Sequence, residues 1–213
     1  MNILFDLDGT LTDPFEGITK CIAYALSGLG REAVAQKELA WCIGPPLKNS
    51  FATLLQVDAG DELAEQALTL YRQRFTSVGL YENRLFAPIP SILEELVRRG
   101  HLLYVATAKP TVYAERIIDH FALSRYFQVV YGSELDGRFT DKTSLIQHII
   151  SRENIDRRST CMIGDRKHDI TGAKNNSLRA VGVCWGYGSQ EELEEAGADL
   201  CIDDPDELLP LFP

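Results

Sequence analysis

The 213-residue chain reads as an α/β protein: a parallel sheet covered on both faces, with a helical block inserted after its first strand. Three observations predict this. Short apolar runs recur, each followed by helical periodicity, and that alternation builds βαβ units with buried parallel strands. Residues 14–80 carry helical periodicity and no convincing strand. Several apolar runs end directly in residues that carry chemistry, and ligands of open parallel sheets bind beyond the carboxyl ends of the strands.

The expected strands cover residues 3–5, 102–106, 128–131, 161–163, 180–184 and 200–202. Amphipathic stretches between them predict helices near 89–99, 111–122, 141–153, 167–176 and 189–196. In the inserted block, Phe15, Ile18, Ile22, Ala25 and Leu26 share one helical face, and so do Leu63, Ala67, Leu70, Tyr71 and Phe75. Gly28, Gly30, Gly44-Pro45-Pro46 and Gly60 punctuate this block into roughly four helices. Pro88 and Pro90 mark the return to the sheet. The expected division is therefore a core of residues 1–13 and 82–213 and a helical cap of residues 14–81.

Composition narrows the function. With 45% hydrophobic and 24% charged residues the chain is an ordinary globular protein. Its net charge of −10 argues against nucleic acid, whose binders present basic surface. Small anionic substrates stay open, because a local cation or lysine can reverse the field in a cleft. Cys21, Cys42, Cys161, Cys184 and Cys201 lie far apart without a C-x-x-C pair, which suits neither a disulfide framework nor zinc. Cys161, Cys184 and Cys201 sit in apolar runs and are expected as buried core thiols. Asp6 interrupts the apolar start, so no secretory leader is expected, and no apolar stretch approaches the roughly 18 residues of a membrane span. A cytoplasmic protein without a membrane partner is the expectation; oligomeric state is not legible.

The strand ends converge on one chemistry. The first delivers Asp6, Asp8, Gly9 and Thr10; the second, YVATAKP, delivers Thr107 and Lys109; the run at 161–163 delivers Asp165 and Asp169 from GDRKHD. Lys142 opens the helix before that last strand. Asp6 and Asp165 could share a hard cation through oxygen, and magnesium is the choice, being held by one or two carboxylates plus a substrate phosphate. In a regular strand the i, i+2 spacing points Asp6 and Asp8 to one side, and Gly9 then lets the backbone turn. One carboxylate can attack phosphorus while the other protonates the leaving oxygen and later activates water. Taken singly, D-x-D-G is ordinary turn chemistry and GDRKHD a helix start. Their joint order along the chain is what points to a site.

DLDGT at 6–10, Thr107, Lys142 and GDRKHD at 164–169 together resemble the haloacid dehalogenase superfamily of phosphohydrolases, over essentially the whole chain. The resemblance implies a Rossmann-like core with a small helical cap. It makes Asp6 the nucleophile and Asp8 the general acid and base. Thr107, with Ala108 beside it, and Lys142 would hold the phosphoryl oxygens. Magnesium would be bound by Asp6, the backbone carbonyl of Asp8 and Asp165, with Asp169 nearby or in the outer shell. The stretches IGPPL (43–47), ATAKPT (106–111) and VYGSELDG (130–137) resemble the phosphoglycolate-phosphatase-type subgroup, some of whose relatives act on nucleoside monophosphates. Arg166 and His168 depart from the commoner GDSxxD form, and His168 reads as an outer residue rather than a ligand.

The expected activity is magnesium-dependent hydrolysis of a small phosphorylated metabolite through an aspartyl-phosphate. A 5'-nucleotidase or another small-metabolite phosphatase is the first alternative, followed by a sugar-phosphate mutase and a non-catalytic phospholigand sensor. Dehalogenation would not need Asp8 or Asp165, and a sensor would be expected to lose Asp6 or Asp8. Cap candidates to face substrate are Gly44, Phe15, Thr19, Trp41 and Lys48, and Lys109 is grouped with them. Asp13, before Pro14, is expected to cap the first cap helix.

Overall fold

The computed structural model describes residues 1–32 and 34–213, and their contacts divide into two compact units, Met1–Asp13 with Leu85–Pro213, and Pro14–Arg84. Among the described residues no helix is long and apolar enough to cross a membrane.

The first unit is built on β1 (Asn2–Phe5), whose neighbours on either side come from far along the chain. The short strands β2 (Thr12–Asp13) and β3 (Arg84–Leu85) mark the two chain crossings between the units. The main strands that follow are β4 (Leu102–Pro110), β5 (Phe127–Ser133), β6 (Thr160–Gly164), β7 (Arg179–Val183) and β8 (Leu200–Ile202). They form one six-stranded sheet in the order β5-β4-β1-β6-β7-β8, parallel throughout. This is a Rossmann-like α/β arrangement. The chain leaves β1 for β4 on one side and returns to β6 on the other, so the order reverses at β1, where ligands of such sheets bind.

Alternation within the strands covers both faces. Leu4, Tyr104, Met162 and Ala180 belong to one apolar cluster with Leu145, Ile146 and Ile149 of a helix over Lys142–Glu153 and Ile170 and Ala173 of a helix over Lys167–Asn175. Ile3, Phe5, Val105, Ile163 and Val181 alternate with that set and are equally buried. Helices over Ile89–Arg98, Thr111–His120 and Gln190–Glu195 complete the alternation within a residue or two of expectation. Cys161 is buried as expected. Cys184 and Cys201 are only half-buried, a correction with a simple cause: they lie at and beside β8, the edge strand, where cover is incomplete.

The second unit is helical. It contains helices over Phe15–Gly28, Leu47–Leu55 and Glu62–Arg74, with a 3-10 segment over Gln36–Cys42 and a π turn over Phe75–Gly79. Ile18, Ile22, Ala25 and Leu26 bury one stripe, and Ala67, Tyr71 and Phe75 bury another. Tyr71 stacks on Phe75 and meets Phe51 edge-on, at centroid distances of 5.2 and 6.1 Å. Arg74 grips Glu82 with two nitrogens at 2.7 and 3.0 Å, a planar match that Lys20 reinforces.

Candidate active site

β1 stops at Phe5, so Asp6 and Asp8 lie in a turn beyond the strand and not, as the spacing suggested, along a continuing one. The Leu7 carbonyl ties this turn by accepting from the N–H groups of Thr10, Leu11 and Thr12 at 3.3, 2.9 and 3.0 Å. Gly9 has φ +84°, and a Cβ there would overlap the Asp165 carboxylate. Glycine is needed at this position on both counts.

Three buried carboxylates meet at the sheet edge: ligand oxygens of Asp6, Asp165 and Asp169 lie within 4.8 Å of one another. Asp6 comes from the β1 turn, Asp165 from the end of β6, and Asp169 from the first turn of the helix that follows. Asp169 is not a surface residue; its Oδ2 accepts from the Arg166 N–H at 3.1 Å while its other oxygen faces inward. It therefore stands in the carboxylate group itself. Gly164 makes room, because a Cβ there would strike the Asp169 side chain.

Lys142 is the cation among them. Its ammonium lies 3.0 Å from Asp6 Oδ1 and 2.6 Å from Asp169 Oδ1, and it donates to the Ala106 carbonyl at 2.7 Å. Burial would lower the pKa of this lysine, but Asp169 and Asp6 outweigh burial and hold it raised. One ammonium leaves three buried carboxylates under-compensated. Burial, then the charges of Asp6 and Asp169, hold Asp165 well above the carboxylate range; burial, then Asp6, push Asp169 up to about 6. Apart from Lys142, Asp6 Oδ1 and Asp169 Oδ1 meet no donor among the described residues. Oxygen donors, excess negative charge and unsatisfied buried oxygens fit a hard divalent cation.

Thr107, Ala108 and Lys109 stand out from the sheet. Ala106 pairs with Tyr131 and Pro110 with Ser133, so three residues of β4 face the single residue Gly132. Such a bulge re-aims side chains. It is pinned from β5: Ser133 Oγ donates to the Ala108 carbonyl at 2.8 Å, and Gly132 N–H donates to Thr111 Oγ1 at 3.2 Å. Thr107 is buried, its hydroxyl accepting from the Lys109 N–H at 3.2 Å. Lys109, grouped with cap candidates from the sequence, instead belongs to the sheet unit, because the bulge turns its ammonium onto Asp8 Oδ2 at 2.7 Å. Burial raises the pKa of Asp8 most, with Lys109 opposing it.

The sequence reading missed the segment after β7. Tyr187 N–H donates to Asp165 Oδ2 at 2.8 Å, Thr10 Oγ1 reaches Asp165 Oδ1 at 3.3 Å, and Trp185 Nε1 donates to the Thr10 carbonyl at 3.1 Å. Gly186 and Gly188 press so closely on Asp165 that a Cβ at either would overlap it. The paired glycines in WGYG were the available signal. Asp13 is not a helix cap: it accepts a hydrogen bond from the Tyr187 hydroxyl, and the helix begins at Phe15 with Pro14 as its N-cap and no side-chain cap. His168 is exposed, and Arg166 instead binds Glu192 at 2.9 Å. Gly44, Phe15, Thr19, Trp41 and Lys48 all belong to the helical unit. There Gly44 has φ +102°, Lys48 pairs with Glu65, and the buried Thr19 hydroxyl is spent on the Phe15 carbonyl at 2.6 Å.

A family model described as haloacid dehalogenase-like hydrolase matches residues 3–183. The chain belongs to this family. Among haloacid dehalogenase-like relatives, a 5'-nucleotidase of Pseudomonas aeruginosa is 51% identical over 90% of this chain and 86% of its own. A phosphoglycolate phosphatase of Vibrio parahaemolyticus is 25% identical over 97% of this chain and 93% of its own. A crystal structure of a predicted phosphatase from Clostridium acetobutylicum superposes with a TM-score of 0.94 at 41% identity, covering 99% of this chain and 96% of that one. Family and relatives together make the chain a phosphatase, a phosphoric monoester hydrolase.

Proposed function

We propose that the enzyme hydrolyses a small phosphate monoester through an aspartyl-phosphate on Asp6, with magnesium as cofactor and a nucleoside 5'-monophosphate as the first substrate to test. The observation that carries the mechanism is the pairing of opposite roles in one turn. Asp6 faces Lys142 and the carboxylate group, whereas Asp8 is buried apart from it on Lys109. The Asp6 carboxylate attacks phosphorus as the bond to the leaving oxygen breaks, and that oxygen takes its proton from Asp8. Asp8 then removes a proton from water, which attacks phosphorus and frees Asp6. Burial favours the protonated form of Asp8 that the first step needs.

Asp6, Asp165 and the Asp8 carbonyl would hold magnesium, with Asp169 close by. When bound, the cation supplies charge neutralisation for the phosphoryl oxygens. Lys142, beside Asp6, and the Thr107–Ala108 bulge would orient the phosphoryl group. The substrate choice follows the 51% identical relative named 5'-nucleotidase; phosphoglycolate, the choice from motif resemblance, takes second place because the relative bearing that name is 25% identical. The helical unit, which holds the Gly44 turn, is proposed as the specificity-bearing cap.

The test is phosphate release from nucleoside 5'-monophosphates and phosphoglycolate, with magnesium and with a chelator. Nucleotide hydrolysis that requires the metal is expected, and Asp6→Asn should abolish it. Full activity in Asp6→Asn would overturn the mechanism, and undiminished activity in chelator would overturn the cofactor. Turnover of phosphoglycolate alone would reverse the order of substrates.

A further inference from the structure

The two oxygens of Asp8 are not equivalent. Oδ2 is held by the Lys109 ammonium at 2.7 Å, with the two side chains only 12% and 7% exposed. Oδ1 is buried and has no hydrogen-bond partner among the described residues. A buried carboxyl oxygen without a partner is costly unless a ligand completes it. Lys109 reaches Asp8 only because the β4 bulge carries it out of the sheet, with Ser133 and Gly132 fixing that bulge.

We infer that Lys109 is a positioning residue that holds Asp8 by Oδ2 and so commits Oδ1 to exchange the proton with the leaving oxygen and then with water. This rests on the proposed role of Asp8 as acid and base. The same lysine could instead be a second ligand of the phosphoryl group, and the leaving group separates the two. An alkoxide, as in a nucleoside 5'-monophosphate, needs a proton in order to leave; a nitrophenolate does not. Loss of a phosphoryl ligand weakens both substrates alike, whereas a misplaced acid penalises the alkyl ester selectively.

The experiment compares kcat/KM, which reports the first chemical step, for a nucleoside 5'-monophosphate and for p-nitrophenyl phosphate. It uses wild type, Lys109→Met, Lys109→Gln and Lys109→Arg, with thermal melts to confirm folding. Misplacement by about 1 Å can cost about a hundredfold. Lys109→Met and Lys109→Gln should lose about ten- to a hundredfold on the nucleotide, with a loss on the aryl ester about tenfold smaller, and Lys109→Arg should recover most of the difference. In the neutral variants kcat should fall on both esters, because water attack on the aspartyl-phosphate is common to them. Equal losses in kcat/KM on the two esters, or none on either, would overturn the inference while leaving the phosphatase reading intact. Failure of wild type to hydrolyse either ester would remove the reading of the site on which it rests.

Discussion

Gly9 carries more of the site than its size suggests. Its φ of +84° and the overlap that a Cβ would make with Asp165 are separate constraints, one on the backbone and one on space. Gly9→Ala should cost about 1–2 kcal/mol from the backbone alone, measured by urea unfolding, and should also displace Asp165. Unchanged stability and unchanged magnesium affinity would contradict this. At this scale the sequence was informative where chemistry and spacing are local: DLDGT, Lys142 and GDRKHD name residues that the structure does bring together. It was uninformative where the partner is remote. Asp13 looks like a cap because Pro14 follows it, yet its partner is Tyr187, 174 positions away. Lys109 could not be paired with Asp8 until the backbone between Ala106 and Pro110 was known.

Elements were legible in kind and less so in detail. Alternating apolar runs and amphipathic stretches specify βαβ units because buried strands and covering helices have different periods. The same runs hide irregularity: the run at 102–106 is expected to end before Thr107, whereas the strand continues to Pro110 with three residues bulging over Gly132. The bulge is an agreement between β4 and β5, and neither segment shows it alone. Ser133 is the link most open to test. Ser133→Ala leaves the half-buried Ala108 carbonyl without its hydroxyl donor, at a cost of about 0.5–1.5 kcal/mol for the lost hydrogen bond. KM for the phosphate ester should rise with that loss, since Thr107 and Ala108 lie on the loosened loop. Stability lost with KM unchanged would separate the bulge from phosphate binding.

For the whole molecule, the buried carboxylates link folding to pH and to the proposed metal. Without a cation, Asp169 is pushed up to about 6, so the folded state keeps a proton that an unfolded carboxyl, with an ordinary value of 3.8, has released. That contribution to stability is present at low pH and is lost as pH rises from about 4 through about 6. Asp165 and Asp8, also raised chiefly by burial, act in the same direction. His101 and His168, lowered chiefly by desolvation, act oppositely. Stabilisation by magnesium should therefore grow between pH 5 and 7. At a hundredfold excess over Kd it should reach about 2.7 kcal/mol. Urea unfolding with magnesium and with chelator checks this, and a difference independent of pH would contradict it.

The position of β1 between β4 and β6 sets a timetable for synthesis. Ile3, Leu4 and Phe5 are fully buried, but the strand that covers one side of them begins at Leu102 and the strand on the other side at Thr160. At a translation rate of about 5–20 residues per second, this apolar segment waits roughly 8–30 s for its second neighbour. The helical unit is one contiguous stretch, and its segments are all synthesised well before then. The proposed nucleophile, Asp6, is thus made well before the strand preceding it gains its second neighbour.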